Sequence, residues 1–466
     1  VKKALAKCLI LLVGFFQLFY IQGAFGGYQE NSSEKLDLPS QFLWGTAVSE
    51  FQVSGAENCP NAQWANWESK GSPYIKTGDR TGKSADHWNR YREDIQIMKD
   101  MGVNSFRFSI EWSAIEPEEG VINEAALDHY MDVFDALDEA QITPMVTLYH
   151  FTHPKWFEDL GAFEKEKNIE YFTRFCKLIF QRFGDRAPLW CTMNEPSVIV
   201  LEGYMLGEFP PGKKDYALAG EVYRNLLFAH CMVYEALKAM PGGKEAQIGI
   251  VHAYLKLKPY HTWNLIESYP CYYMNENLNN AMMRFLKTGV FNFYFPFMVD
   301  ISTQFVGAQE MYDFIGLNYY SSPLITLQFS FSDPLVSTCF EGEMMTDMPY
   351  RSYPKGFYDA LVDCNSLRKP IYVTENGIAD ARDDRRSDFI GSYLSAMNQA
   401  VRDGCDVRGY FYWSFIDNFE WAEGWKMRFG LYEFDPVTKE RKLKEGAKTY
   451  QNKIREAKQL SYAPRD

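Results

Sequence analysis

Two glutamates stand at the ends of apolar, strand-like runs: Glu195 in Thr192-Met193-Asn194-Glu195-Pro196, and Glu375 in Thr374-Glu375-Asn376-Gly377. Two carboxyl groups facing each other across a narrow pocket are what cleavage of a glycosidic bond requires. One gives a proton to the leaving oxygen. The other attacks the anomeric carbon, with retention, when the carboxyls are about 5–5.5 Å apart, or activates water when they are farther apart. That chemistry needs no metal and no cofactor, and none is expected here. The chain has no C-x-x-C, no H-E-x-x-H and no glycine-rich phosphate loop ending in Gly-Lys.

Other polar and aromatic residues fall at comparable places. His150 follows the run TPMVTLY, Arg107 lies inside SFRFSIE, and Gln52 follows FLWGTAV. Tyr320 closes YDFIGLNYY, and Trp413 lies in RGYFYWSF, ahead of Asn418-Phe419-Glu420-Trp421. Each has an ordinary reading on its own. A Glu before Pro is usually a solvated loop residue. Glu-Asn-Gly reads as a turn in which Asn-Gly supplies positive φ. A lone His after an apolar run is usually a hydrogen-bonded structural group. One such residue at every clear strand end changes the weighting. Sugars are held by aromatic faces against their C–H groups and by planar polar side chains against their hydroxyls. Trp413, Trp421, Gln52, His150, Asn194 and Glu420 are of those types.

Eight apolar runs must position these residues: 42–48, 105–111, 143–149, 189–195, 246–252, 312–320, 369–376 and 408–415. They are mostly continuous rather than alternating, as parallel strands buried on both faces are. Helical patterns separate them. In 124–140, Leu127, Tyr130, Met131, Phe134 and Leu137 share one helical face; in 84–101, Trp88, Tyr91, Ile95 and Met98 do the same. Segments 165–183, 217–240, 355–366, 386–403 and 445–456 are similar, while 253–311 shows only a short helix at 277–288. This alternation, with no linker, argues for one α/β domain over 41–460, a (β/α)8 TIM barrel with its active site at the C-terminal ends of the strands. A doubly wound open sheet is the alternative, but the phosphate loop expected after its first strand is missing.

Composition narrows the function classes. The 466 residues are 46% hydrophobic and 23% charged, a mix that builds a large core and excludes intrinsic disorder. Aromatic residues make up 16%, which points to aromatic-lined pockets or to many half-buried rings. A formal net charge of −13 without any basic run excludes nucleic acid as a partner. The mean hydropathy of −0.33 excludes a polytopic membrane protein.

Residues 1–26 stand apart. Lys2, Lys3 and Lys7 lead into the apolar run 8–20, and small residues follow, the pattern of a secretory signal peptide. Left uncleaved, it is an N-terminal membrane anchor. Residues 27–40 are polar and read as a tether. The expected location is periplasmic, secreted or within a secretory pathway, with anchoring if the leader stays. Of nine cysteines, Cys8 goes with the leader. Cys176, Cys191, Cys231 and Cys405 lie in apolar periodic segments, and Cys59, Cys271 and Cys339 in loop-like ones, which is no disulfide framework.

In order along the chain stand F-L-W-G-T-A, F-R-F-S-I-E-W-S, T-L-Y-H, T-M-N-E-P, D-F-I-G-L-N-Y-Y, V-T-E-N-G and W-S-F-I-D-N-F-E-W-A-E-G-W-K-M-R-F-G-L. On these motifs the chain resembles glycoside hydrolase family 1, the β-glucosidase/β-galactosidase family, from about Phe42 to about residue 450. The resemblance implies a retaining β-glycosidase with Glu195 as acid/base and Glu375 as nucleophile. It implies that Arg107 and Tyr320 hold the nucleophile, and that Asn194 bonds the sugar 2-hydroxyl. Gln52, His150, Glu420 and Trp421 match the clamp on the sugar hydroxyls, Trp413 the platform under the ring, and Phe429 the residue near C6. Arg107 is then expected to lower the Glu375 pKa, and the Glu375 charge to raise that of Glu195.

The chain also departs from the family pattern. The common H-W-D-x-P is His150-Phe151-Thr152-His153-Pro154, W-S-R-I is Trp112-Ser113-Ala114-Ile115, and G-G-W is Gly161-Ala162-Phe163. Phe151 has no indole N–H for a hydroxyl, which leaves glucose against galactose open. In the short 253–311 region and in S-Y-P-K-G-F-Y (352–358) the chain is similar to the branch with plant galactolipid galactosyltransferases. That likeness implies an alternative, galactosyl transfer between glycolipids with peripheral membrane contact. A sugar-binding protein on an inactive scaffold is the remote alternative. The substrate is a β-linked glycoside or glycolipid in the first two readings, and the oligomeric state is left open.

Overall fold

The computed structural model describes residues 35–328 and 335–461. The expected leader and residues 27–34 of the tether lie outside the described residues. From the tether's end, Asp37 donates its backbone N–H to Asn398 Oδ1, Asn398 Nδ2 donates to the Lys35 carbonyl, and Leu36 is buried.

Eight parallel strands close into a barrel. They are β1 (Leu43–Ala47), β2 (Ser105–Ser109), β3 (Thr143–Thr147), β4 (Leu189–Asn194), β5 (Gln247–Ala253), β6 (Phe314–Asn318), β7 (Ile371–Asn376) and β8 (Val407–Trp413). Each pairs with its sequence neighbours, and β1 closes the ring against β8 with Ala47 opposite Trp413. All eight expected strands are present, and the expected (β/α)8 barrel with them. β2, β4, β6 and β7 are buried at every residue. Both faces of these strands lie under protein, one in the barrel lumen and one beneath the helices, which explains the continuous apolar runs.

Helices cover the outside. Glu124–Ala140 starts where the Asn123 side chain accepts the Ala126 N–H, and it buries Leu127, Tyr130, Phe134 and Leu137. His87–Met101 stops at Gly102, whose φ of 94° takes the chain out of the helix. The expectation for 253–311 needs correcting. Helical structure begins at Leu265, with Leu265–Met274 followed by a π-helical stretch Asn275–Asn280 and then Ala281–Thr288. Pro270 sits inside the first of these and masks it in the sequence, because a proline cannot donate to the carbonyl four residues back. A hairpin, Val290–Phe295 with Val299–Gln304, completes the connection.

The eight cysteines of the described residues are free thiols. Cys271 lies within a helix and is not a loop residue, while Cys59 directly follows the helix Glu50–Asn58; both are buried. Among the described residues no helix is long and apolar enough to cross a membrane.

Candidate active site

Regular pairing fails at the C-terminal ends of two strands. The register shifts between Cys191 and Asn194 on β4, and after Val373 on β7. Such irregularities re-aim the side chains beside them, and these ends carry Glu195 and Glu375. Glu195 itself has φ 47° and gives its N–H to Val251 O of β5 at 3.1 Å. Phe151 (φ 68°) and Trp421 (φ 47°) are left-handed too. Side chains as bulky as these rarely take this conformation, which costs about 1–2 kcal/mol per residue. Three of them around one pocket mark it as a place the fold holds against local preference.

Glu375 is gripped from two sides. Its Oε1 accepts Arg107 Nη1–H at 2.6 Å and its Oε2 accepts the Tyr320 hydroxyl at 2.7 Å. Arg107 is fully buried on β2 and donates also to Asn194 Oδ1 at 2.7 Å and Thr147 Oγ1 at 3.1 Å. Glu195 is held more lightly. Its Oε1 accepts Asn318 Nδ2–H at 2.9 Å. The same amide reaches Asn194 Oδ1 at 3.1 Å, while Asn318 Oδ1 accepts from Thr374 at 2.6 Å. Arg107, Asn194 and Asn318 thus link the two glutamates through a buried polar chain.

The electrostatics separate the pair. Burial first, and the Glu375 charge second, push the Glu195 carboxyl up to about 8. The expected repulsion by the Glu375 charge is present, second to burial. For Glu375, too, burial raises the value, and Arg107 and Tyr320 pull it back. The expected lowering by Arg107 is real but smaller than the burial it opposes. Glu375, with the guanidinium and the phenol, is the better-stabilised anion, so Glu195 holds the proton. Burial and Arg107 together push His150 well below the ordinary imidazole value, so its ring is neutral.

Two groups in the pocket lack partners in the protein. Asn194 Oδ1 accepts from Arg107 and Asn318, so its Nδ2 must donate to His150 Nε2 at 3.2 Å. The His150 proton is then on Nδ1, which is buried and unpaired. Gln52 gives its Nε2 to Asn418 Oδ1 at 3.1 Å and Phe419 O at 2.8 Å, which leaves Oε1 buried and unpaired. A free donor and a free acceptor in one pocket suit hydroxyl groups, which both donate and accept. The Trp413 ring lies 5.7 Å from His150 at 24° between planes. Trp421 stacks on Phe51 at 6.2 Å, and Phe429 meets Tyr320 at 5.8 Å. The Glu420 carboxyl, 3.5 Å from Gln52 Nε2, is pushed up to about 8 by burial and by Glu375, Glu423 and Glu195. All eleven expected site residues converge here.

The structure adds residues the sequence does not single out. Asn318 is visible as a strand end, but not its bond to Glu195. Tyr350 follows no strand. Burial, then Glu420, Tyr393 and Glu195, raise its phenol well above the ordinary value. Its segment is pinned by Arg385, which bonds Asp347 Oδ1 at 2.6 Å and Met345 O at 2.7 Å. Gly377 is not the positive-φ turn residue that Asn-Gly suggests. A β-carbon there would fall 1.7 Å from the Trp413 carbonyl oxygen. Gly377→Ala is therefore expected to cost roughly 3 kcal/mol or more through the forced shift of β8, read as a fall in melting temperature; an unchanged melt would contradict this packing.

The sequence matches the family model for Glycosyl hydrolase family 1 over residues 34–459. The chain belongs to this family. Beta-glucosidase A of Acetivibrio thermocellus is 32% identical over 455 residues, covering 90% of this chain and 99% of the relative. Beta-glucosidase A of Thermotoga maritima is also 32% identical, over 90% of this chain and 97% of its own. Among solved structures, the beta-glycosidase from Pyrococcus horikoshii superposes with a TM-score of 0.81 at 35% identity, over 91% of this chain and 96% of that one. The Thermotoga maritima beta-glucosidase in complex with castanospermine gives 0.79 at 28% identity, over 90% and 98%. This family 1 chain is a glycoside hydrolase, and the positions where it departs from the family pattern have defined surroundings. The Phe151 carbonyl accepts from Gln63 Nε2 at 2.7 Å and Trp64 Nε1 at 3.2 Å. Phe151, Ala162 and Phe163 line a cavity of about 20 Å³ behind the pocket, room for about one water.

Proposed function

We propose that the protein is a retaining β-glycosidase that hydrolyses β-D-glucosides, with β-D-galactosides as the second substrate class. The observation that carries this is the unequal grip on the two glutamates. Glu375, ionised between Arg107 and Tyr320, attacks the anomeric carbon. Glu195 gives its proton to the leaving oxygen, and the C–O bond to the aglycone breaks. The sugar is then an ester of Glu375. Glu195, now a carboxylate, takes a proton from water as that water attacks the same carbon and Glu375 departs. Asn194, His150, Gln52 and Glu420 hold sugar hydroxyls over the Trp413 ring in both steps. The names of the beta-glucosidase relatives support glucose as the leading sugar.

Retention is tested by proton NMR of the first product. The β-anomer of the free sugar must appear before the α-anomer; α-sugar first would overturn the mechanism. The same experiment, run with a β-galactolipid as donor, separates water from lipid-linked sugar as acceptor: hydrolysis releases free sugar.

A 6-phosphorylated glycoside is expected to be a poor substrate. The charges that act most on Glu420 are those of Glu375, Glu423 and Glu195, all carboxyl groups, so a phosphate there is repelled by them. Turnover of a 6-phospho-β-glucoside should fall on the order of 10²-fold below that of the plain glucoside; equal kcat/KM values would contradict this. Export remains the reading for residues 1–26, supported by the basic start and apolar run; N-terminal sequencing of the mature protein tests it.

A further inference from the structure

The connection from β5 to β6 carries an unusual surface. The helix Leu265–Met274 lies on the outside, where a helix normally shows charges to water. This one is turned the other way. Its carboxylate, Glu267, is 1% exposed and accepts the His261 backbone N–H at 2.7 Å and the Leu327 N–H at 3.3 Å. Leu265 (77% exposed), Ile266 and Tyr272 face solvent instead. Trp263, two residues ahead of the helix, is 78% exposed. Between His261 and Asn275 there is no lysine or arginine.

The adjoining hairpin adds a second projection. Phe291, Phe293 and Phe295 are buried on its inner face, while Tyr294 looks outward and meets the helix through Tyr273 at 6.2 Å. Its tip is Phe297, which is 83% exposed and has φ 61°. Glycine or asparagine takes this conformation at little cost. A phenylalanine there contributes nothing to the core and carries a local penalty. Its value must lie in what it meets outside.

We propose that this face is a docking surface for an uncharged or zwitterionic lipid–water interface, with Trp263, Leu265 and Phe297 inserting at the headgroup boundary. Aromatic and aliphatic side chains on a surface poor in charge, with Asp300 opposite Tyr294 on the hairpin, suit that boundary, where tryptophan and tyrosine concentrate. The net charge of −13 opposes an anionic surface, so the contact rests on apolar burial. Where the leader of residues 1–26 is left uncleaved, the chain outside the described residues supports the same occupant. It holds the apolar run 8–20, and residues 21–34, at about 3.4 Å each when extended, let an anchored domain lie as far as roughly 48 Å from that run. The face also adjoins the pocket rim. Lys258–Pro259, which follows β5, pairs with Leu324–Leu327 after β6, and Lys258 Nζ reaches the Tyr353 hydroxyl at 3.2 Å. A domain resting on this face would present its pocket to glycosides held in a lipid surface. The proposal concerns binding and does not depend on the roles of Glu195 and Glu375.

Hydrogen exchange read by mass spectrometry tests it on the full chain, with and without phosphatidylcholine vesicles. Vesicles are expected to slow exchange in 260–275 and 293–299. The triple variant Trp263→Ser, Leu265→Ser, Phe297→Ser should lose that protection. Phe297→Gly alone, which suits the backbone and should melt no lower than the wild type, should weaken the protection and lower the fraction bound several-fold. Added anionic lipid should not strengthen binding. Protection confined to the N-terminal residues would overturn the proposal, as would unchanged protection in the variants. Protection that rises with protein concentration without vesicles would assign the face to a second copy of the chain instead.

Discussion

Glu375→Gly is expected to abolish glycoside hydrolysis, lowering kcat on the order of 10⁵-fold or more for any aryl β-glucoside. Neither His150 nor Tyr320 beside it can take over the attack. His150 Nε2 lies 4.0 Å from Glu375 Oε1, but that nitrogen accepts from Asn194, and Tyr320 is a neutral phenol held well above its ordinary pKa. The vacated space lies beside Arg107 Nη1, which keeps only the Thr374 carbonyl at 3.2 Å, and beside the Tyr320 hydroxyl, which loses its acceptor. A small anion fits that vacancy in charge and size. Azide should therefore restore part of the activity with a good leaving group. It attacks the face that Glu375 would have attacked, so the product is the α-glycosyl azide, with inversion. Melting temperature serves as the control, because an unpaired buried guanidinium destabilises the fold. Near-normal turnover without azide would remove Glu375 from the reaction, and a β-azide product would place the attack on the other face.

The eight strands are legible in the sequence because their burial on both faces leaves a simple signature, an unbroken apolar run. The helices are legible by their spacing, down to the Asn123 cap of Glu124–Ala140. Legibility fails where local chemistry conflicts with the outcome. Pro270 signals a break within Leu265–Met274, and Phe291, Phe293 and Phe295 form one face of a hairpin within a run aromatic enough to hide its turn. At the site, residue types and strand ends identify the glutamates, the clamp and the platform. What they do not reveal is which neighbour acts on which. Asn318 joins Glu195 to Asn194 through side-chain reach, and Tyr350 arrives on a segment set by the Arg385–Asp347 pair, far from both in sequence. Gly377 is conspicuous in the sequence for a reason that is not the operative one. Its missing side chain makes room for the Trp413 carbonyl. The balance of burial against charge at Glu195 and Glu375 also needs the fold, because burial has no sequence motif.

Glu195→Gln should separate the two halves of the reaction and remove one limb of the pH profile. In the wild type, kcat/KM requires Glu375 ionised and Glu195 protonated. Since Glu195 titrates at about 8, activity should fall as pH rises through that value. Glutamine neither titrates nor donates an acidic proton. With a poor leaving group such as an alkyl glucoside, kcat/KM should drop roughly 10³-fold, within the 10²–10⁴ range of general acid catalysis. With a dinitrophenyl glucoside, which leaves without protonation, the first step should survive and the limb near pH 8 should vanish. Release of the sugar should then be slow, because no base activates water, and a burst of dinitrophenol should precede it. The substitution should also stabilise the fold at alkaline pH. The Glu195 carboxyl binds its proton more tightly in the folded chain than in the unfolded one. Folding therefore loses stability as pH climbs from the ordinary carboxylate value to about 8, and the loss is complete above that. An amide of the same shape escapes the penalty while still accepting from Asn318. Its melting temperature should match the wild type near pH 4 and exceed it by several degrees at pH 8.5. A basic limb that persists in the glutamine variant would assign it to another group, with Glu420, also at about 8, the first to examine.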